Sequence, residues 1–206
     1  MMKIVFFSFI FLCFAGRMQA QSLLDLSKPD KEFTLGVLGG LNSSYMDNSD
    51  ASGIRTGFHI GAKVDYNIVK SFSITSGILY SEKGFYSDRG KANLSYLHIP
   101  LCVSYRIETP TGIKFNFNLG QYFAYGLGGR LNLYPQLLNY FYSFDQDSFG
   151  EKGFFKHFDM GMTAGAYIQI SHVILGVSYE YGLIDIAKVY GKFHNRNVAT
   201  TIGVNF

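Results

Sequence analysis

Apolar and polar residues alternate along most of this chain. Phe33, Leu35, Val37, Gly39 and Leu41 share one parity, and Thr34, Gly36, Leu38, Gly40 and Asn42 share the other. Phe58, Ile60, Ala62, Val64 and Tyr66 stand against His59, Gly61, Lys63 and Asp65. The pattern returns through 72–80, 97–107, 113–127, 160–168, 173–181 and 198–206. A period of two marks a strand with one apolar and one polar face, so the chain predicts about eight strands of roughly ten residues each. The connections alternate too. Segments 67–71, 108–112 and 171–172 are short enough for hairpin turns, whereas 42–54, 88–93, 128–157 and 184–195 are longer. Short turns at one end and long loops at the other are the asymmetry of an outer-membrane barrel.

Alternation alone leaves open which face is wet, because a soluble eight-stranded barrel turns its apolar residues inward. Three features point to lipid. The polar parity is dominated by Gly, Ser, Thr and Asn, which suits a confined interior. Its charges are few and of both signs, which is thin for a solvated outer face. The apolar parity is rich in Phe and Tyr, more than one small core could hold. Ten tilted residues rise about 25 Å, the height of the lipid-facing band. The expectation is an all-β, closed antiparallel up-and-down transmembrane barrel, in which every backbone group pairs around the ring. The chain has no Trp, so Tyr and Phe must supply the interfacial girdles: Tyr66, Phe72, Tyr105 and Phe206 at the turn end, and Tyr80, Tyr125 and Tyr181 at the loop end.

The N-terminus changes the charge balance. Lys3 precedes an apolar run from Ile4 to Gly16, too short for a membrane helix but suited to the core of a secretory signal. We place the signal peptide at 1–20, a short periplasmic segment at 21–32 and the barrel at 33–206. Cleavage removes Lys3 and Arg17 and no acid, which takes the formal charge of +3 down by two. No Lys/Arg cluster argues for nucleic acid. Of the two cysteines, Cys13 leaves with the signal, so Cys102 has no disulfide partner within the mature chain. An even number of strands returns the chain to its starting side, which puts both termini in the periplasm.

Candidate chemistry lies on the inward parity. His59, His98, Asp159 and Glu180 invite a catalytic or metal reading, but they come from non-adjacent strands without ligand spacing. With Lys63, Asp65, Arg106 and Lys114 they read as a polar network in the lumen, since a narrow barrel must pair its buried charges. Asp65, Arg106 and Lys114 read as an ion-pair set near the periplasmic end. Pro100 removes a ladder bond and predicts a bulge or bend; Cys102 reads as a packing thiol. No nucleophile elbow, phosphate loop, HExxH or paired-Cys motif occurs, so the expectation is no enzyme, no metal and no cofactor. The connection 128–157 is unusually aromatic. Tyr134, Tyr140, Phe141, Tyr142 and Phe144 make it a candidate partner-binding loop, against the alternatives that parts of it prolong strands or fold over the barrel mouth.

The stretches "GGLN", "GFHIGA", "GILYSEKGF", "YLHIPL", "GQYFAYGL", "YEYGLIDI" and "TIGVNF" resemble the PorT-like outer-membrane β-barrel family of Bacteroidota. The likeness runs from about Phe33 to Phe206, and "YLHIPL" preceded by "LYSEKG" is its most specific part. It implies an eight-stranded barrel in the outer membrane and no single activity, with secretion-accessory work at the founding member. It also implies that Phe206 ends a strand presented to the barrel-assembly machinery. The long aromatic loop at 128–157 departs from the family pattern. The primary expectation is therefore a non-enzymatic scaffold or partner-binding barrel in outer-membrane lipid, with a protein partner reached through that loop. Its rivals are an outer-membrane enzyme acting on lipid or peptide at the outer face, and a soluble exported ligand binder.

Overall fold

A computed structural model describes residues 24–47, 53–87, 90–133, 144–149, 153–188 and 193–206; the expected signal peptide lies outside them. The strands are β1 (Phe33–Asp47), β2 (Gly53–Val69), β3 (Phe72–Ser87), β4 (Gly90–Glu108), β5 (Ile113–Leu133), β6 (Phe144–Asp147), β7 (Phe158–Ile170), β8 (Val173–Gly182) and β9 (His194–Asn205). Eight of them close a ring. Each pairs antiparallel with the next, β5 passes directly to β7, and β9 returns to β1 through Val37↔Val204 and Leu41↔Thr200. The short β6 adds only to the far end of β5. The chain is a closed eight-stranded antiparallel barrel, so no sheet edge is left for lipid to solvate.

The period-two pattern becomes two faces. Large apolar side chains stand exposed all round the outside: Leu35 at 60%, Ile78 at 61%, Leu119 at 62% and Ile202 at 57%. The inward parity buries Asn42, His59, Asp65, Ser73, Thr75, His98, Ser104, Glu180 and Asn197. An apolar belt of this extent around a polar interior is stable only where lipid covers it, and it excludes the soluble barrel. At the turn end, the girdle forms cross-strand aromatic pairs, Phe33–Tyr66 at 5.1 Å and Phe72–Tyr105 at 5.3 Å.

Several strands outrun the expectation. β4 begins at Gly90 and β5 continues to Leu133, paired through Gly90↔Leu133 and Ala92↔Leu131. At 21 residues, β5 is about 70 Å long, so even tilted it projects well beyond a band of about 25 Å. Its extension was hidden by a bulge. Ser95 opposes Gly128 while Tyr96 opposes Gly126, and the inward parity switches from Tyr122, Ala124 and Gly126 to Gly129 and Leu131. The longest connection therefore divides: 128–133 prolongs β5 and 144–147 returns beside it.

Pro100 makes no bulge. The β4–β5 register runs through Pro100↔Tyr122 unbroken, and the β3–β4 pairing lapses between Ser76↔Leu101 and Leu79↔His98 without a shift. The missing N–H thus costs a short gap in one ladder, while Ser76 Oγ donates to the Pro100 carbonyl at 2.9 Å. The turn end is tight. Ser171 takes a left-handed φ of 56° in its two-residue turn, and Gln169 Nε2 donates to its carbonyl at 2.9 Å. Residues 24–32 lie along the β2–β3 turn, with the Ser71 amide donating to Asp25 O at 3.0 Å and that of Asn67 to Glu32 O at 2.7 Å.

Candidate functional site

The lumen is built from side chains that alternation turns inward, one from each barrel strand at its most polar level. Glu180 on β8 is the centre. Lys83 Nζ on β3 donates to its Oε2 at 2.6 Å, and Asn197 Nδ2 on β9 to the same oxygen at 3.1 Å. His98 Nε2 on β4 lies 2.9 Å from Oε1. The Lys83 and Glu180 side chains are 1% and 9% exposed, so this ion pair is shielded from solvent. Burying such charges is costly unless each is paired and hydrogen-bonded, and here the carboxylate has three partners.

The network continues on both sides of Glu180. Asn197 Nδ2 also reaches Asn42 Oδ1 on β1 at 3.3 Å, and the same oxygen lies 3.0 Å from His59 Nδ1 on β2. Since an amide oxygen only accepts, His59 donates there, and Nε2 faces Thr201 Oγ1 at 3.2 Å. On the other side, His98 stacks on the Tyr122 ring of β5 at 5.1 Å. Tyr122 OH donates to Asp159 Oδ2 on β7 at 3.2 Å, which also accepts from Asn195 Nδ2 at 2.8 Å. Lys83 Nζ sits 4.6 Å from the Tyr122 ring centroid, adding a cation–π contact. His59, His98 and Asp159 thus take different partners and do not converge on one point. Among the described residues, no cluster of His, Cys, Asp or Glu suits a metal ion.

Nearer the turn end, the expected set of Asp65, Arg106 and Lys114 separates. Asp65 is held by Lys63 Nζ and Thr75 Oγ1, each at 2.7 Å. Arg106 Nε donates to Asn116 Oδ1 at 2.9 Å, and Lys114 reaches Glu108 at 3.6 Å on the exposed rim. The reason is placement: β3 stands between Asp65 and the β4–β5 pair, while Lys63 shares the strand and face of Asp65. Cys102 is buried and free on the inner face. Lys83, Tyr96, Tyr122, Asn42, Asn195 and Asn197 were not singled out from sequence. For Lys83 the signal was present, because it continues the parity of Ser73, Thr75 and Ser81.

Above the network the interior turns apolar. Met46, Phe85, Leu94, Tyr96, Leu131, Phe149, Phe155 and Ile186 form one buried cluster, with Phe193 against it. Phe149 meets Tyr96 edge-on at 5.5 Å, and Phe155 meets Phe193 edge-on at 6.2 Å. Backbone bonds hold this cap: Lys156 N to Ile186 O at 2.8 Å, Lys188 N to Phe154 O at 2.9 Å and Gly126 N to His157 O at 2.7 Å. Gly126 makes the room, since a Cβ there would lie 2.5 Å from the Phe149 ring. Part of the aromatic loop therefore folds over the barrel mouth. Of the candidate partner residues, Tyr134, Tyr140, Phe141 and Tyr142 lie outside the described residues, and Phe144 opens β6.

Residues 19–188 match the model of the family described as outer membrane protein beta-barrel domain. This chain belongs to that family. The outer-membrane barrel so identified is also similar in fold to solved structures. Ail, the attachment invasion locus protein of Yersinia pestis, is 13% identical, with 85% of this chain and 100% of that chain covered at a TM-score of 0.47. Neisserial surface protein A is 14% identical, with 85% and 98% covered at 0.47. OprG of Pseudomonas aeruginosa is 13% identical, with 89% and 99% covered at 0.44. No curated protein matches this outer-membrane barrel. Family and lipid-facing belt agree on an integral outer-membrane location, and the matched span ends before β9, the strand that closes the ring onto β1.

Proposed function

We propose that this protein is a non-enzymatic, PorT-like scaffold of the outer membrane that binds a protein partner through its long loops. The observation that carries the reading is the state of Glu180. The Glu180 carboxylate, buried at the centre of the network, is committed to Lys83, His98 and Asn197, so it offers neither a free base nor a vacant ligand position beneath the aromatic cap. A catalytic lumen would need an acid or base with access to substrate.

In this reading the signal at 1–20 is removed, 21–32 stays in the periplasm beside the short turns, and both termini are periplasmic. The long loops then face outward, and the 128–157 connection presents Tyr134, Tyr140, Phe141, Tyr142 and Phe144 to a partner, the signature of loops carrying specificity on a rigid frame. The barrel-assembly machinery recognises the closing strand, and no cofactor is needed.

Crosslinking from intact cells tests the role. A photoreactive residue at Tyr140 should capture one predominant protein, and one at Ser171 should not capture that species. Equal capture of that species from both positions would remove the loop-directed role. Turnover of a lipid or peptide that persists in purified Glu180→Gln protein and is lost with Asp159→Asn would instead favour an enzyme.

A further inference from the structure

Below Glu180 the lumen is not filled. A cavity of about 110 Å³ extends toward the turn end, and a second of about 240 Å³ forms the mouth beyond it. Arg106 lines both and so stands at the neck between them. Charge accounting singles it out. Lys63 is paired with Asp65 and Lys83 with Glu180 inside, while Lys114 is paired with Glu108 and Lys70 with Asp30 at the mouth. Among the described residues lining the inner cavity, Arg106 is the cation with no carboxylate partner. Its Nε donates to Asn116, which leaves the other guanidinium N–H groups of its five donors for a ligand.

Two further observations give the ligand a shape. Ser73 Oγ lines the inner cavity, is 1% exposed and has no hydrogen-bond partner in the protein. Beyond it, Leu38, Leu79, Cys102, Tyr167 and Ile174 supply an apolar wall. Tyr167 lies over Gly176, where a Cβ would run into its ring, so the glycine lets a bulky aromatic lie flat along the lumen. One uncompensated cation at a neck, below an otherwise polar chamber with an apolar patch on its wall, suits a molecule with a single negative head and a short hydrocarbon chain. A cavity of about 150 Å³ takes one benzene ring, which limits the chain here to about four to six carbons.

We propose that the turn-end half of the lumen binds a short-chain monocarboxylate, its head on Arg106 and its chain against Leu79 and Ile174. A planar guanidinium grips a carboxylate through two parallel bonds, which a neutral head cannot use. A dianion would bring one charge more than Arg106 matches, and an inorganic anion would leave the apolar wall unused. The site is independent of the scaffold role, since it opens toward the turn end and the cap lies at the other.

The test is a titration of methyl-labelled full-length protein in detergent micelles with hexanoate, and separately with hexanol. Inward methyls of Leu38, Leu79 and Ile174 should shift saturably with hexanoate, while outward methyls of Leu35, Ile78 and Leu175 report partition into the micelle. A charge-assisted bond to Arg106 predicts hexanol at least about tenfold weaker, with a similar loss for hexanoate on Arg106→Gln. Lys114→Gln, on the rim, should bind as the unaltered protein does. Inward methyls that do not move, inward and outward methyls that move together, or equal affinity for hexanoate and hexanol would each overturn the site. If Arg106→Gln does not fold, the comparison of the two ligands on the unaltered protein still decides.

Discussion

Lys83 on β3 and Glu180 on β8 meet at 2.6 Å across the full width of the barrel, 97 residues apart in the chain. Three strands separate them whichever way the ring is followed. The contact is thus a strut between opposite walls, and it exists only once the ring has closed. Removing one partner leaves a buried charge without compensation, at a cost of about 3–5 kcal/mol. Lys83→Met and Glu180→Gln should each lower stability by that order in urea unfolding from vesicles. The double variant should regain most of the loss, because no unpaired charge remains. Single variants as stable as the unaltered barrel would show that the pair is solvated rather than a strut.

The outward face can be tested at mid-height. Val177 is 47% exposed and Phe117 47% exposed on the apolar belt. Arg at either position places a charge near the bilayer midplane, and the expected cost is about 2–4 kcal/mol with reduced outer-membrane abundance. Ser178 is one residue away on the inner face and lines the cavity, so Ser178→Arg should depend on steric fit instead. Tolerance of Arg at Val177 and Phe117 would reverse the assignment of the faces.

The cap hinges on Gly126. Overpacking a filled interior costs about 1–3 kcal/mol, and here the displaced group is Phe149, the ring that bridges Tyr96 and His157. Gly126→Val should push Phe149 out and open the cap. Protease cleavage near 149–155 should quicken at unchanged strand content by circular dichroism. Cleavage at the original rate would mean that the cap accommodates the change without Phe149 moving.

These features differ in how far the sequence announces them. The strands, their faces and the inward placement of His59, His98, Asp159 and Glu180 follow from parity alone, because a one-residue slip would turn a whole strand's apolar set inward. The strut follows from ring closure, which brings β3 opposite β8 and leaves no mark at either residue. That parts of 128–157 prolong β5 or fold over the mouth is one of the alternatives the sequence offers, but which residues do so is not legible, because the bulge at Leu127 breaks the alternation. Beyond it, Phe149 and Phe155 are ordered by contacts with Phe85, Tyr96 and Phe193, from three other segments. Long-range packing of an irregular segment has no period to detect.

Asp185 links the cap to pH. It lies after β8, outside the spanning strands, and its Oδ1 accepts the N–H groups of Ala187 and Phe193, each at 3.0 Å. Partial burial pushes its carboxyl upward, but those two amides, with Lys156 and His194 nearby, outweigh burial and hold it below the usual carboxylate range. A depressed value in the folded state means that the contribution is fully present above the unfolded carboxylate value of about 3.9 and is lost as pH falls through the lower folded value. The amide protons of Ala187 and Phe193 should therefore stay protected through pH 5 and exchange faster only in stronger acid. Asp185→Asn should abolish that acid step. An unchanged step in the variant would assign it to another carboxylate.

Phe206 bears on assembly. Its amide donates to Leu35 O at 2.8 Å, so the ladder between β9 and β1 runs to the final residue, and its ring stands 63% exposed on the apolar face. Phe206→Ala loses an interfacial ring, a cost of about 1–3 kcal/mol from burial in the membrane interface. If the assembly machinery also reads this ring, the loss in the cell should exceed the loss in stability. Asn205 separates the two effects. It is buried on the inner face and donates to Gln169 Oε1 at 3.1 Å, so Asn205→Ala forfeits about one hydrogen bond while keeping the terminal aromatic. We expect Phe206→Ala to reduce outer-membrane abundance sharply, with fragments in the periplasm, and Asn205→Ala to reduce it less. Immunoblots of separated membrane and periplasmic fractions, set beside urea unfolding of both purified variants, decide the matter. A fall in abundance that merely tracks the loss of stability would make Phe206 an anchor of the seam and nothing more.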